Sequence, residues 1–264
     1  EYHGMGTRSW ASLLAFKARI SWETKQKQKD GKPFFPILGL EEPEAHLHPN
    51  AQRMVYHQLS ELEGQKIVST HSPYLAGQCS IWELRGFSKK TDNVVIAQLL
   101  QSDFEGDEPR KLKREVILSK GELIFSKAIV LFEGETEHQS FPIFLKRFFG
   151  KDAFELGITL VKVDGNNYKP YLLLATGFRI EWFIFSDYDQ PNIKVGVDNA
   201  LRRINYVDEE SSKVFKLGKT FEDYLIDEGY SHEIKNGINK AYLATSPSGT
   251  DFRQIQAGQA RINA

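Results

Sequence analysis

Residues 126–137 read SKAIVLFEGETE, and this stretch limits the fold more than any other. Residues 128–132 form an apolar run too short for a globular helix, so they read as a buried strand. Glu133 stands where the run stops and Gly134 lets the backbone turn. Glu137 follows at the start of a helical pattern through Ser140, Ile143, Phe144 and Phe148. That spacing lets Glu133 and Glu137 face one pocket. Ligands of open α/β sheets bind in the crevice beyond the carboxyl ends of the strands, so the pattern fits a metal site. A helix N-terminus that simply favours carboxylates accounts for the stretch equally well on its own.

A second acidic strand end follows. After Glu137, a strand over 158–163, a helix over 168–178 and a strand over 182–185 alternate, which predicts a parallel sheet with right-handed crossovers. The last strand runs into Ser186-Asp187-Tyr188-Asp189. If it continues, Asp187 and Asp189 point the same way, and hard oxygen ligands at that spacing suit Mg²⁺ or Mn²⁺. Asp164, after the intervening strand, reads as a helix N-cap or as a group supporting the ligands. Residues 214–217 are strand-like, and Thr220 with Asp223 is close to a capping box.

The pairing of E-G-E-T-E with a later Asp-x-Asp resembles the Toprim domain of topoisomerases, primases and certain nucleases. The resemblance implies that Glu133, Asp187 and Asp189 hold catalytic metal. Residues 220–225, TFEDYL, look like the Leu-Glu-Asp segment of Toprim domains of the overcoming-lysogenization-defect (OLD) type, with Phe221 in place of Leu. That implies a second metal near Glu137 and Glu222.

Residues 37–49, ILGLEEPEAHLHP, put two adjacent acids at the end of an apolar strand. They resemble the Walker B motif of ATP-binding-cassette ATPases, in the version used by the RecF, SMC and OLD families. The resemblance implies that Glu41 orients magnesium and Glu42 polarises the attacking water. His46 and His48 lack a third nitrogen or sulfur ligand at suitable spacing and are assigned to loop structure. Residues 50–62 carry one apolar stripe of a helix. Residues 66–76, KIVSTHSPYLA, read as a strand and a polar turn, and His71 corresponds to the switch histidine that contacts the γ-phosphate. Gly4 and Gly6 precede Thr7, Ser9 and an apolar helix. This is either a flexible loop or backbone N–H groups open to an anion. By the same resemblance Gly4, Gly6 and Ser9 look like a divergent signature motif that completes a partner subunit's nucleotide site. The basic residues 25–32 read as an exposed loop.

An ATPase also needs G-x-x-x-x-G-K-[ST]. Gly218-Lys219-Thr220 does not supply it, because Lys213 stands where the first glycine belongs. A missing P-loop and a first residue other than Met lead to the expectation of an excerpt that starts in mid-protein. Residues 80–87 and 93–100 read as a hairpin. Residues 102–115 read as an exposed connection whose Lys111, Lys113 and Arg114 are solvated or touch a phosphate backbone.

The expected fold class is α/β: a partial ABC-type ATPase lobe over 1–100, a linker over 101–124, and a Toprim nuclease domain over 125–264 with a mainly parallel sheet flanked by helices. That is the architecture of the OLD family nucleases. It implies an ATP-regulated endonuclease or nickase that uses two Mg²⁺ or Mn²⁺ ions on DNA, with ATP bound by the full-length protein. Members are bacterial and phage-encoded; some act in anti-phage defence and some work with a helicase-like partner. A late lysine assists the chemistry in that family, and neither Lys235 nor Lys240 has a context that assigns it. The signature motif implies a homodimer or higher homo-oligomer. An ATP-switched DNA clamp of RecF or SMC type is the alternative, and intact Glu133, Asp187 and Asp189 speak against it. The net charge of −1 gives no whole-chain signal for nucleic acid, so local patches or metal ions must supply it. The single Cys79 excludes an internal disulfide and suits a reducing cytoplasm, and no apolar run reaches membrane-spanning length.

Overall fold

The computed structural model describes residues 5–90, 92–207 and 213–237, which fall into two compact units. One takes the described residues up to Ile129 with Gly157–Thr159 and Pro170–Trp182. The other takes Val130–Leu156, Leu160–Lys169 and the described residues from Phe183 onward.

In the first unit, α1 (Met5–Lys29) runs through most of the basic stretch expected to be a loop. Lys, Gln and Glu are good helix formers, so a charged run continues a helix until something stops it. Here the stop is Gly31, in the left-handed region at φ 64°. Strand β1 (Ile37–Glu41) pairs in parallel with β2 (Gln65–Ser69), with α2 (Pro49–Ser60) between them in the chain, and the register sets Glu41 opposite Ser69. His48 caps α2 by accepting from the Asn50 N–H at 3.4 Å, ahead of Pro49 in the first turn, so it serves loop structure as expected. Ser72 caps the short α3 (Pro73–Ala76). Leu13 and Ile20 of α1, Leu38 of β1, and Val55 and Leu59 of α2 bury their side chains in one core.

The hairpin is β3 (Gly86–Lys90) and β4 (Asn93–Ala97), antiparallel. Its first strand begins later than expected. Residues 80–85 are turns, in which Arg85 donates to the carbonyls of Trp82 and Leu84. The charged stretch after Ser102, expected as an exposed connection, is folded and partly buried: it holds α4 (Glu108–Leu112) and a wide turn over Lys113–Ile117, and buries Leu112, Val116 and Ile117. Lys113 donates to the Cys79 carbonyl at 2.8 Å and ties this stretch to a distant segment, while Lys111 pairs with Asp107 and Arg114 with Glu115 near the surface.

The chain continues through β5 (Ala128–Phe132), α5 (Glu135–Phe149), α6 (Ala153–Leu156), β6 (Ile158–Lys162), α7 (Lys169–Phe178), β7 (Glu181–Ser186), α8 (Pro191–Arg203), β8 (Val214–Lys216) and α9 (Phe221–Leu225). The strands make one four-stranded sheet in the order β6-β5-β7-β8, with β7 and β8 parallel. This is the expected α/β sheet flanked by helices, and the two strands with acidic ends, β5 and β7, are neighbours in it. Below the acids, Phe141 of α5 packs against Phe132 and Phe185 with ring centroids 4.4 and 4.9 Å apart, and Phe185 meets Phe221 of α9 at 5.5 Å. This aromatic layer fixes strand ends and helix starts to each other. Asp164 does not cap α7. It stands exposed in the bend after β6, and the helix begins only at Lys169. No helix among the described residues is long and apolar enough to cross a membrane.

Candidate functional site

Glu133 is the first residue past β5, Gly134 caps α5, and Glu137 lies in that helix's first turn. Glu137 is only 2% exposed. It folds back over Gly134, where a Cβ would run into its carboxylate. A side chain at this position would push that carboxylate aside, and the φ of −91° does not itself require glycine. Strand β7 stops at Ser186, so period-two alternation does not carry through to Asp189. Tyr188 instead adopts φ 54°, and its N–H donates to the buried Ser186 hydroxyl at 3.2 Å. The aspartates reach the site through a tight turn, a correction to the extended strand expected from sequence.

Each of the four carboxylates keeps a buried oxygen without a hydrogen-bond partner: Glu133 Oε2, Glu137 Oε1, Asp187 Oδ1 and Asp189 Oδ1. Burial pushes Glu133 up to about 7, helped by the charges of Asp189 and Glu137. Asp187 rises to about 8, through burial first and then through the charge of Glu137 and a hydrogen bond with it. The acids thus feel one another across a shared site. Tyr168, which the sequence did not single out, is buried beside them; burial above all raises its hydroxyl, and Glu133, Glu137 and Asp187 add to the effect.

Unpaired, acceptor-only oxygens turned away from solvent are costly unless something positive meets them. A hard divalent cation such as Mg²⁺ or Mn²⁺ fits that donor set. Among the described residues no group of three or more His, Cys, Asp or Glu side chains stands arranged to hold a metal ion. The site therefore presents donors rather than a formed coordination sphere. Glu222 arrives by another route. Leu217 and Gly218 donate to the Ser186 and Asp187 carbonyls at 3.0 and 2.7 Å, which draws the end of β8 alongside the acids. Thr220 then caps α9 by accepting from the Asp223 N–H at 3.2 Å, and Glu222 accepts from the Thr136 hydroxyl of α5 at 2.6 Å. Lys235 lies exposed in the helical residues 231–237, and Lys240 lies outside the described residues.

The raised carboxyls give a pH dependence with a definite sign. Their unfolded values lie near 4, whereas Glu133 and Asp187 fold at about 7 and about 8. The folded chain then binds these protons more tightly, so this contribution to stability is complete below pH ~4 and is lost as pH rises through 7 to 8. In chelator, the melting temperature of the parent should fall between pH 6 and pH 8.5 by more than that of Asp187→Asn. Equal slopes for the two proteins in calorimetry would contradict this.

In the first unit, Glu42 follows β1 with φ 41°, and its N–H donates to the Ser69 carbonyl at 3.0 Å. His71 Nε2 stands 3.6 Å from Glu42 Oε1, with the side chains 85% and 49% exposed, so these two candidates meet at the surface. Glu41 is the exposed last residue of β1. The sequence reading missed Glu44, which is buried and accepts from the Thr70 hydroxyl. Thr70 Oγ1 accepts from the Ser72 N–H at 2.9 Å, and Ser72 donates to Gln52 at 2.5 Å. This network ties the loop after β1 to the loop after β2.

The signature candidates stand differently. Gly6 lies inside α1, not ahead of it, and a Cβ there would approach the His46 carbonyl oxygen to 2.7 Å, so close packing accounts for this glycine. Ser9 also lies within α1, and Gly4 lies outside the described residues.

Residues 124–189 match the family model described as "Overcoming lysogenization defect protein-like, TOPRIM domain", and residues 1–76 match "AAA ATPase domain". Among similar proteins, "Uncharacterized protein YbjD" of Escherichia coli is 25% identical over 189 residues, which cover 72% of this chain and 34% of that protein. "Old nuclease" of Escherichia phage P2 is 25% identical over 170 residues, 62% of this chain and 28% of the phage protein. "OLD nuclease" of Thermus scotoductus is 36% identical over 104 residues, 36% of this chain and 20% of that nuclease. The chain thus spans between 20% and 34% of the length of these relatives. Glu133, Glu137, Asp187 and Asp189 fall within the first matched segment, and Glu41, Glu42, Glu44 and His71 within the second.

Proposed function

Because the chain is of the OLD type, an AAA ATPase segment joined to an OLD-like Toprim domain, we propose that it belongs to a divalent-metal-dependent DNA endonuclease or nickase controlled by ATP. One observation carries the reading: Glu133, Asp187 and Asp189 just past the neighbouring strands β5 and β7, and Glu137 in the first turn of α5, each keep a buried oxygen without a hydrogen-bond partner and act on one another's charge. Glu133, Asp187 and Asp189 would hold one Mg²⁺ or Mn²⁺, and Glu137 and Glu222 would flank a second. Bound there, the ions supply Lewis-acid charge at a scissile phosphate and an activated water. The residues' own task is to aim oxygens inward: Gly134 makes room for Glu137, and Thr136 steers Glu222. A chain of net charge −1 then meets DNA through cations held by its acids.

In the ATPase segment, which we assign to residues 1–100, Glu41 would orient magnesium, Glu42 would polarise the attacking water and His71 would contact the γ-phosphate. A linker over 101–124 leads to the nuclease domain over 125–264. By the resemblance, the signature segment that holds Gly4, Gly6 and Ser9 would complete the nucleotide site of a second subunit, and the full-length protein would then work as a homodimer or higher oligomer. On this reading it would act in the cytoplasm, in anti-phage defence or DNA processing, and could work alongside a helicase-like partner. A RecF-like or SMC-like clamp without cleavage leaves the buried acids without a use.

Supercoiled plasmid tests the reading. Full-length protein with Mg²⁺ or Mn²⁺ should yield nicked or linear DNA, with the rate altered by ATP, and EDTA should stop it. Binding to DNA without cleavage of any nucleic acid, or cleavage indifferent to EDTA, would overturn the proposal.

A further inference from the structure

Tyr188 separates the two aspartates and carries an uncommon backbone. A bulky residue at φ 54° is an outlier that persists only where its surroundings over-determine it. Those surroundings are present. The Tyr188 hydroxyl sits between both carboxylate oxygens of Asp198, at 2.8 and 2.7 Å. Lys216 Nζ lies 4.5 Å and Lys194 Nζ 5.5 Å from the ring centroid, and Lys216 also reaches Asp198 at 3.5 Å. Helix α8 supplies Lys194 and Asp198, and β8 supplies Lys216. One aromatic side chain is therefore held from two elements that carry none of the four acids.

The peptide units on either side of Tyr188 belong to Asp187 and Asp189, so holding the ring holds the backbone from which both carboxylates extend. We propose that Tyr188, with Asp198 as its acceptor, is a positioning residue that clamps the Asp187–Asp189 turn in the geometry needed to take a divalent cation. The inference rests on the metal-dependent reading above and goes beyond it, since neither side chain is a ligand.

Mn²⁺ binding to the full chain, measured by calorimetry, tests it. Tyr188→Phe keeps the ring and its lysine contacts and removes only the hydroxyl. It should weaken Mn²⁺ about tenfold, the usual scale for a group that orients a ligand, with the metal-free melting temperature unchanged. Asp198→Ala should weaken Mn²⁺ similarly, Asp198→Asn less because an acceptor oxygen remains, and the double variant Tyr188→Phe/Asp198→Ala no more than either single change. A merely structural role would lower the melting temperature and leave Mn²⁺ affinity alone. Asp187→Ala separates the two levels of the argument. If Asp187→Ala loses Mn²⁺ while Tyr188→Phe binds like the parent, or if the double variant is additive, the clamp is wrong and the metal reading stands. If Asp187→Ala also binds like the parent, both fall.

Discussion

Asp187→Ala is expected to reduce plasmid cleavage by the full-length protein by ~100-fold or more, while ATP hydrolysis continues at the parent rate. The size follows from the place of the residue. Groups that only orient a ligand already cost ~10- to 100-fold in metal affinity or activity, and a direct oxygen donor to a hard cation costs no less. The substitution also removes a charge from a site where Asp187 is pushed up to about 8 by burial and by its acidic neighbours. Without metal, Asp187→Ala should therefore fold at least as well as the parent above pH 8, which separates lost chemistry from lost structure. Glu133→Ala should behave alike, since its carboxyl is raised by burial and by the charges of Asp189 and Glu137. Cleavage by either variant at the parent rate, under matched Mg²⁺ or Mn²⁺, would remove the basis of the nuclease reading.

The second large effect lies in the other unit. Glu42→Gln in the full-length protein is expected to lower ATP hydrolysis by ~100-fold or more, the scale of losing a group that polarises an attacking water. Gln preserves side-chain length, and the Glu42 N–H bond to the Ser69 carbonyl and the φ of 41° belong to the backbone, so the loop should keep its shape. What changes is the charge 3.6 Å from His71. Cleavage of DNA with metal should persist and lose its response to ATP. An unchanged hydrolysis rate would remove Glu42 from its assigned role, and a parallel loss of Mn²⁺ affinity would contradict the independence of the two sites.

The elements that a short-range pattern defines were legible in the sequence. Strand β5 spans the same residues, 128–132, that the apolar run marks, because a buried strand bounded by polar residues has few other ways to satisfy its backbone. His48 was read as loop structure and caps α2. What was hidden depends on neighbours distant in sequence. Leu112, Val116 and Ile117 are spaced for burial, but the charges around them read as solvent exposure. Lys25 to Lys29 extend α1 because propensity, not amphipathicity, governs an exposed helix end.

The acids were singled out from their types and spacing, but the sequence did not show the backbone that carries them. Nothing in Asp-Tyr-Asp announces a left-handed tyrosine, since Tyr is no turn former; the conformation is supplied by Asp198 and two lysines on other elements. Glu44 was likewise hidden, because its partner Thr70 lies beyond a helix and a strand. Gly134 was read as letting the backbone turn, and the Glu137 carboxylate lies where its Cβ would be.

The central claim is that Glu133, Asp187 and Asp189 are metal ligands, and Mn²⁺ can be located directly by its anomalous scattering in crystals of this chain. The account predicts an ion at the ends of β5 and β7, bound by oxygens of all three residues, and its loss in Asp187→Ala crystals. Saturating Mn²⁺ that leaves no ion at that cluster, or one ordered only elsewhere on the molecule, would contradict it.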